Sequence, residues 1–224
     1  SLNGANSADN RPIGIPVSLL LRQVMEQAAS IQEAFDIIKN SPVFVSDILL
    51  LADGKTGETA IIEKTPAKCA IIYPDKDSKT IVSSNHFHSP DLVNDPRNLA
   101  YLETGSSKQR EDRMKELVAR HEGKIDYLKA AEILRDRRGL NDKDIGNGNR
   151  HALNALIATH SVITDVTAGV MWVSSSPHQL GPYLPFSLTD FQKRPDLPEI
   201  DADPFLSDGY SDYLKSAKSI FSAE

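Results

Sequence analysis

Apolar residues recur at steps of three and four positions near the start of the chain, a spacing that predicts an amphipathic helix. This helix follows Ile15, and its apolar positions are Val17, Leu20, Leu21, Val24 and Ala28. A second helix is expected after Ser30, because Ser30 and Glu33 have the spacing of a capping box. Its apolar stripe consists of Ala34, Ile37 and Ile38.

Short runs of β-type residues come after these two helices. They cover residues 43–52, 58–63, 68–73 and 80–84. Asp53-Gly54 and Pro74-Asp75 separate runs and predict tight hairpin turns. Connections this short cannot form a parallel crossover, so the runs predict an antiparallel meander. Residues 1–4 fit the tail of one more strand.

Helical and β patterns also alternate in the second half of the chain. Helices are expected at 107–120, at 126–134 and around 208–221, and strands at 160–164 and 170–174. Residues 91–104 and 141–150 are expected to be irregular, the second of these a loop. The order of elements predicts an α+β fold with layers around one core, in a single domain over residues 1–224.

Composition and charge narrow the classes of function. The 224 residues carry a formal net charge of -6, which argues against a broad nucleic-acid surface built from Lys and Arg. The longest apolar runs, such as residues 48–52, are far too short to cross a bilayer. One cysteine excludes an internal disulfide and a Cys-rich zinc site. Because the sequence opens at Ser1 without a start methionine or a signal segment, we expect a processed or truncated start.

The run 81–87 ends its β pattern on an Asn-His pair. The amide of Asn85, at a strand end, can be held rigid and aimed at charge that develops during a reaction. The alternative is an asparagine that only forms a turn. His86 is a candidate for proton transfer or substrate orientation, and otherwise a half-buried histidine with one backbone partner. A metal pair of His86 and His88 would need a third ligand, and because none follows at a diagnostic spacing, no metal site is expected.

Two residues within the chain are candidate nucleophiles. Cys69 lies in the middle of a predicted strand and precedes apolar residues, which is typical of a small core residue and not of an activated thiol. Ser1 could act through its own α-amino group. Nothing else in the sequence marks Ser1 as a reaction centre.

Other polar residues are candidates for binding a substrate. Arg110 and Arg113 lie three residues apart on one face of a predicted helix and could bind a carboxylate, or form a solvated face with salt bridges to nearby glutamates. Asn154 could donate to a substrate carbonyl or satisfy backbone at a strand entry. Trp172 and residues 177–183 could wall a pocket, or form core and an ordered surface turn.

Taken together, these motifs resemble the acyl-coenzyme A:6-aminopenicillanic acid acyltransferase family, which belongs to the N-terminal nucleophile superfamily and is related to the choloylglycine hydrolases. The resemblance runs through nearly the whole chain. It rests on residues 11–16 with Leu21-Arg22, on the meander, and on residues 84–86, 107–114, 161–165 and 170–173.

The resemblance implies an αββα sandwich of antiparallel sheets whose N-terminal part is missing from this chain. It also implies a precursor that cleaves itself to expose an N-terminal cysteine, whose thiol attacks a linear amide or thioester. The family's oxyanion asparagine falls on Asn85, and its nucleophile lies upstream of Ser1, so Ser1 is not the catalytic terminus. A Ser-Arg pair of the family is replaced here by Asn154-Ala155.

The first hypothesis is a hydrolase or acyltransferase that acts on linear amide C–N bonds. Asn85 stabilises the oxyanion, and His86, Arg110, Arg113 and Asn154 bind the substrate. The expected partners are a small-molecule acyl amide and the missing N-terminal segment of the same protein. No cofactor, metal, nucleic acid or membrane span is expected, and a homo-oligomer is compatible with the chain. The alternative is a non-catalytic binding or structural module that keeps the fold. Substrate identity and localisation stay open.

Overall fold

The computed structural model describes residues 1–190, 192 and 195–221. These residues form two compact units, Ser1–Glu111 and Asp112–Glu224. Each unit contains an antiparallel sheet, and the described residues include seven α-helices in total, so the fold class is α+β. A single domain over residues 1–224 stays a prediction. Within the described part of the chain, no helix has both the length and the apolar character needed to cross a membrane.

The first unit is built on a four-stranded sheet with the order β1-β2-β3-β4 and antiparallel neighbours throughout. The strands are β1 (Leu2–Ala5), β2 (Ser46–Ala52), β3 (Thr59–Lys64) and β4 (Cys69–Ile72). The turn after β2 closes with a 2.8 Å hydrogen bond from the Asp53 N–H to the Glu58 carbonyl. Gly57 in this turn has a φ of 73°, which favours glycine. The predicted meander is confirmed for β2, β3 and β4.

Helices α1 (Val17–Gln27) and α2 (Ile31–Asn40) pack on one face of this sheet. The Ser30 hydroxyl accepts from the N–H of Glu33, and the Glu33 carboxylate accepts from the N–H of Ala29. Glu33 therefore bonds one residue earlier than a standard capping box requires. Both helices are confirmed. Their shared core includes Leu20, Val24, Ile38, Leu49 and Ile62.

The other face of the sheet packs against a segment without strands. Ile48 and Ile61 contact Phe87 and Leu92 there. The predicted strand at 80–84 is wrong, because these residues form no β-ladder in the described structure. A β-type sequence becomes a strand only where a neighbouring strand takes up its hydrogen bonds. Asn85 therefore does not lie at a strand end, and tertiary contacts position it instead.

Helix α3 (Pro96–Thr104) occupies most of the segment predicted to be irregular. Asp95 caps it by accepting from the N–H groups of Arg97 and Asn98, and Pro96 stands in the first turn, where no N–H is needed. The Asp-Pro pair is the helix signal that the apolar pattern does not show. Helix α4 (Ser107–Arg120) has the predicted bounds, with residues 107–111 in the first unit and 112–120 in the second.

The second unit contains a three-stranded antiparallel sheet with the order β5-β6-β7. Its strands are β5 (Val162–Asp165), β6 (Val170–Ser174) and β7 (Tyr183–Ser187). The sequence pattern does not predict β7, because Pro182 and Pro185 interrupt it. Proline is tolerated here since β7 is an edge strand. The remaining helices are α5 (Tyr127–Leu134), α6 (Phe205–Asp208), α7 (Tyr210–Phe221) and the 3-10 turn Leu140–Asp142.

The core of the second unit lies between α5 and this sheet. Ala131 of α5 packs with Val170, Trp172 and Tyr183. The ring of Tyr127 stacks on Trp172 with the ring centroids 4.7 Å apart. Trp172 is buried in this cluster, which confirms its core alternative over a pocket wall.

Candidate functional site

The Asn85 side chain is held on both sides of its amide. Nη2 of Arg110 donates to its Oδ1 at 2.8 Å, and its Nδ2 donates to the backbone carbonyl of Gly4 at 2.8 Å. These contacts determine which end of the amide is oxygen and which is nitrogen. In the flipped amide, NH₂ would face the guanidinium of Arg110 and the oxygen would face the carbonyl of Gly4, and neither pair could form a hydrogen bond. The second N–H of Nδ2 meets no acceptor among the described residues.

The carbonyl of Gly4 lies on the outer edge of β1. Ser1 and Leu50 exchange both of their backbone hydrogen bonds across β1 and β2. In an antiparallel pair the bonded positions alternate, so the backbone groups of Gly4 point away from β2. In the described sheet β1 is an edge strand. Asn85 therefore lies against a sheet edge.

Ser107 joins the backbone of Asn85 to the ring of His86. The N–H of Asn85 donates to Ser107 Oγ at 2.7 Å, and His86 Nδ1 lies 2.8 Å from the same oxygen. Both Ser107 and His86 are buried. Ser107, Arg110 and Glu111 are spaced i, i+3 and i+4, so they share one face of α4. One helix face thus supplies three side chains to residues 85–88.

His88 lies between two buried glutamates. Its Nε2 is 2.9 Å from Glu111 Oε2, and its Nδ1 is 3.5 Å from Glu63 Oε1. Burial acts to lower the pKa of His88, but its contacts with Glu111 and Glu63 outweigh burial and raise the pKa to about 9. The ring is therefore an imidazolium at neutral pH.

Glu63 also fixes the backbone on either side of this ring. Its carboxylate accepts from the N–H of His88 at 2.6 Å and from the N–H of Ser89 at 3.0 Å. Burial acts to raise the pKa of Glu63, but the hydrogen bonds from His88 and Ser89 outweigh it and the pKa is lowered. Glu63 is therefore a carboxylate at neutral pH and holds residues 88–89 against β3.

His86, His88 and Glu111 are the described residues that could hold a metal ion. Each offers one ligand atom, and the three atoms lie within 4.8 Å of one another. Glu111 would be the third ligand of such a site, and local spacing does not reveal it because it follows His88 by 23 residues. Its Oε2 lies 3.5 Å from Nε2 of His86 and 2.9 Å from Nε2 of His88. A metal ion would have to replace these direct contacts.

Arg113 lies in the second unit and is 1% exposed. Its guanidinium contacts both carboxylate oxygens of Asp136, at 2.9 and 3.0 Å, and also Glu116 at 3.0 Å and Asp142 at 2.9 Å. The hydrogen bonds to Asp136 hold the pKa of the guanidinium above its ordinary value. These contacts are typical of a buried structural ion network. Binding of substrate by Arg113 stays a prediction.

Asn154, also in the second unit, is 1% exposed and bonds to backbone at three points. Its N–H donates to the Asp136 carbonyl at 2.8 Å, and its Oδ1 accepts from the N–H of Leu156 at 3.1 Å. Its Nδ2 lies 3.4 Å from the carbonyl of His178. Leu156 and His178 both have positive φ, so Asn154 stabilises two unusual backbone positions. Its contact with a substrate stays a prediction.

Cys69 is half-buried in β4 and packs against the core of the first unit. Burial raises the pKa of its thiol, and the charges of Lys64 and Lys39 oppose this without reversing it. A thiol protonated at neutral pH is a poor nucleophile. The core assignment of Cys69 is therefore consistent with its surroundings.

The sequence points to Asn85, His86 and Arg110 as candidates, but it does not single out Ser107 and Glu63, which hold residues 85–89 in place. The spacing of Ser107, Arg110 and Glu111 on one predicted helix face was the available signal. Glu63 is detectable as the carboxylate that directly follows the apolar residues Ile61 and Ile62 in β3. The contact of Asn85 with the carbonyl of Gly4 cannot be predicted from the sequence, because every residue has a backbone carbonyl.

The residues that match a known protein family include the whole of the first unit. The family model described as acyl-coenzyme A:6-aminopenicillanic acid acyl-transferase matches residues 1–169. A search of curated proteins finds no match to the chain. The matched residues include Asn85 and all of α4, and they make up more than half of the chain. This chain therefore belongs to the acyl-coenzyme A:6-aminopenicillanic acid acyl-transferase family.

Proposed function

We propose that this chain is part of an enzyme that cleaves linear amide C–N bonds, or transfers their acyl group, through an N-terminal nucleophile. Membership of the acyltransferase family supports acyl chemistry. The observation that carries the proposal is the amide of Asn85, held between Arg110 and the carbonyl of Gly4. The αββα sandwich of the N-terminal nucleophile superfamily is part of the same proposal.

The proposed role of Asn85 is to stabilise an oxyanion. Attack on a carbonyl places negative charge on its oxygen, and a donor already fixed in position stabilises that charge without reorganising. One N–H of Nδ2 is committed to Gly4, and the other can donate to substrate. The guanidinium against Oδ1 polarises the amide, which strengthens Nδ2 as a donor.

We place the nucleophile upstream of Ser1, as a cysteine exposed by self-cleavage whose own α-amino group serves as the base. The surroundings of Cys69, packed in the core with a raised pKa, support a nucleophile other than this thiol. The outer edge of β1 supports the location, since a strand added there would run beside the amide of Asn85. A segment upstream of Ser1 that carries this nucleophile is thus the proposed partner of the edge of β1.

The proposed substrate is a small acyl amide, bound without a cofactor. A cavity of about 290 Å³ opens beside the end of β1 and is lined by residues that include Ala5, Ser7 and Ser46. Its size suits a small acyl group. Asn85, His86 and Arg110 are not among the residues that line this cavity. In the proposed enzyme, His86 and Arg110 contribute by positioning Asn85, His86 through Ser107 and Arg110 by its direct hydrogen bond.

The test is Asn85→Ala in the protein expressed with its complete upstream sequence. Release of amine from a panel of N-acyl amino acids is measured, together with acyl transfer from an acyl-coenzyme A thioester to 6-aminopenicillanic acid. We expect turnover to fall by about a hundredfold or more, as for loss of one oxyanion donor, with little change in unfolding. Asn94→Ala, at an exposed asparagine of the same unit, is the matched control.

Unchanged turnover in Asn85→Ala would remove Asn85 from the mechanism. A wild-type protein that turns over none of these substrates would favour the non-catalytic module. Intact-mass analysis of the native protein gives a second check, because a processed terminus with a free thiol is expected of the enzyme.

A further inference from the structure

A series of polar groups runs from α4 to the backbone of Asn85. The carboxylate of Glu111 lies 3.5 Å from Nε2 of His86, whose Nδ1 lies 2.8 Å from Ser107 Oγ. The same hydroxyl oxygen lies 2.7 Å from the backbone nitrogen of Asn85. Glu111, His86 and Ser107 are all buried, so these contacts are shielded from water.

The direction of each hydrogen bond follows from the chemistry of the groups. The N–H of Asn85 can only donate, so Ser107 Oγ accepts from it. The hydroxyl proton of Ser107 can then go to Nδ1 of His86, provided that the ring carries its own proton on Nε2. That proton faces Glu111, whereas the other neutral tautomer would set a lone pair against the carboxylate. Of the two neutral tautomers, the one with its proton on Nε2 therefore satisfies the whole series.

We propose that Glu111, His86 and Ser107 form a polar relay that fixes the backbone of Asn85, and that they are positioning residues for the oxyanion donor. Ser107 hydrogen-bonds to both His86 and Asn85, and the Glu111 carboxylate faces His86 as a polar contact of 3.5 Å. The proposal rests on the proposed function of Asn85. The relay holds the backbone N–H, while Arg110 and Gly4 hold the two ends of the side-chain amide. Asn85 is thereby restrained in three directions, and α4 provides two of the restraints.

His88 and Glu63 anchor the far end of this relay. Nε2 of His88 is 2.9 Å from the Glu111 carboxylate, which stops that carboxylate from turning away from His86. Glu63 holds His88 in turn through the His88 backbone N–H. The relay is thus tied to β3 as well as to α4, and a shift of α4 would be transmitted to Asn85.

The decisive variant is Ser107→Ala, which deletes the one hydroxyl that contacts both Asn85 and His86. We expect kcat to fall by about tenfold, the equivalent of one hydrogen bond, with KM unchanged. Ser107→Thr keeps a hydroxyl and should restore kcat. Ser89→Ala is the matched control: its hydroxyl is buried nearby and has no hydrogen-bond partner among the described residues, so its loss should leave kcat unchanged.

Nuclear magnetic resonance gives a readout that does not depend on turnover. The ring ¹⁵N signals of His86 should show a proton on Nε2 and none on Nδ1. The side-chain NH₂ signals of Asn85 should shift and exchange faster in Ser107→Ala but not in Ser89→Ala. If the amide signals are unchanged in Ser107→Ala, or if His86 carries its proton on Nδ1, the relay is wrong.

A titration with Zn²⁺ or Co²⁺ separates the relay from a metal site. Binding of either ion to Nε2 of His86 would overturn the relay, because the ion would take the position of the proton. Unchanged histidine signals would support it. Failure of the proposed function looks different: Asn85→Ala would then keep full turnover while the His86 tautomer and the effect of Ser107→Ala on the amide signals persist.

Discussion

Arg110 donates through Nη2 to Oδ1 of Asn85 at 2.8 Å, although the two residues lie 25 positions apart in the chain. The sequence presents Arg110 as a candidate to bind a substrate carboxylate. In the folded chain this donor is used within the protein, to orient an amide. The hydrogen bond joins Asn85, which lies outside helices and strands, to Arg110 on one face of α4. The two candidate residues therefore belong to the same site.

The first prediction concerns this pair. Arg110→Met keeps the length of the side chain but removes the donor to Oδ1, so the amide of Asn85 can rotate about its last bond. We expect turnover to fall by about tenfold, which is the effect of losing one charge-assisted hydrogen bond. Turnover of Arg110→Lys should fall less than that of Arg110→Met, because the lysine ammonium keeps the positive charge although it lacks the planar geometry of the guanidinium.

Gln109→Met is the control for Arg110→Met, because Gln109 is an exposed neighbour on the same helix. Steady-state kinetics of the three variants against one acyl amide checks the prediction. Equal turnover in Arg110→Met and Gln109→Met would show that Asn85 needs no orientation by Arg110.

The second prediction concerns stability at alkaline pH. The pKa of His88 is raised from 6.5 to about 9 by its two glutamates, so its stabilising charge is fully present below about pH 6.5. That contribution is lost as the pH rises through 9, and it amounts to roughly 3 kcal/mol for a shift of this size. Urea unfolding between pH 6.5 and 10 should show the decline.

His88→Gln should be less stable than the wild type at pH 6.5. Its free energy of unfolding should no longer show the decline toward pH 10 that comes from His88. His151→Gln, at an exposed histidine, should retain it. A wild-type profile that is flat from pH 7 to 10 would mean that His88 is not held as an imidazolium in the folded protein.

Local sequence predicts best the helices whose apolar residues recur with helical spacing. Helices α1 and α2 follow the apolar periodicity of the sequence, and Ser30 caps α2 where the sequence indicates. Helices α4 and α5 lie at or within one residue of the predicted bounds. The strand at 80–84 fails for the opposite reason, since no local pattern specifies which neighbouring strand is present. Strand β7 is missed because Pro185 is acceptable only at a sheet edge, which is a property of the topology.

The candidate site shows the same division. Asn85, His86 and Arg110 can be named from residue type and position, but the contacts between them join residues 21 to 25 positions apart. Glu63 contacts His88 from a different strand. The resemblance to a family makes Asn85 a candidate, whereas only the packing of α4 on residues 85–88 shows what holds its side chain.

The third prediction concerns Cys69. Its thiol packs in the core of the first unit, and burial raises its pKa, so we expect it to take no part in the proposed chemistry. Cys69→Ala should keep full turnover and lose some stability, by about 1 kcal/mol for a small half-buried group. Measuring turnover before and after a thiol reagent would sharpen the result. Inactivation should be the same in wild type and Cys69→Ala if the reactive thiol lies upstream.

The last prediction concerns the ion network of the second unit. Arg113 is 2% exposed in its side chain and contacts Asp136, Glu116 and Asp142, while Arg120 contacts Glu116 and Asp142 with its side chain 41% exposed. Arg113→Met would leave the Asp136 carboxylate without its bidentate partner in a mostly buried site. We expect a loss of about 3 kcal/mol in the free energy of unfolding, since removing one partner strands the other charge.

Arg120→Met tests whether burial, and not the number of ion pairs, sets this cost. This variant loses the contacts of Arg120 with Glu116 and Asp142. Water can solvate these carboxylates at the surface, so the stability of Arg120→Met should stay close to that of the wild type. Urea unfolding of both variants, followed by a signal from Trp172 in the core of the same unit, provides the comparison. Equal losses in the two variants would mean that Arg113 acts as an ordinary surface ion pair. Its guanidinium would then be available for the predicted contact with a substrate carboxylate.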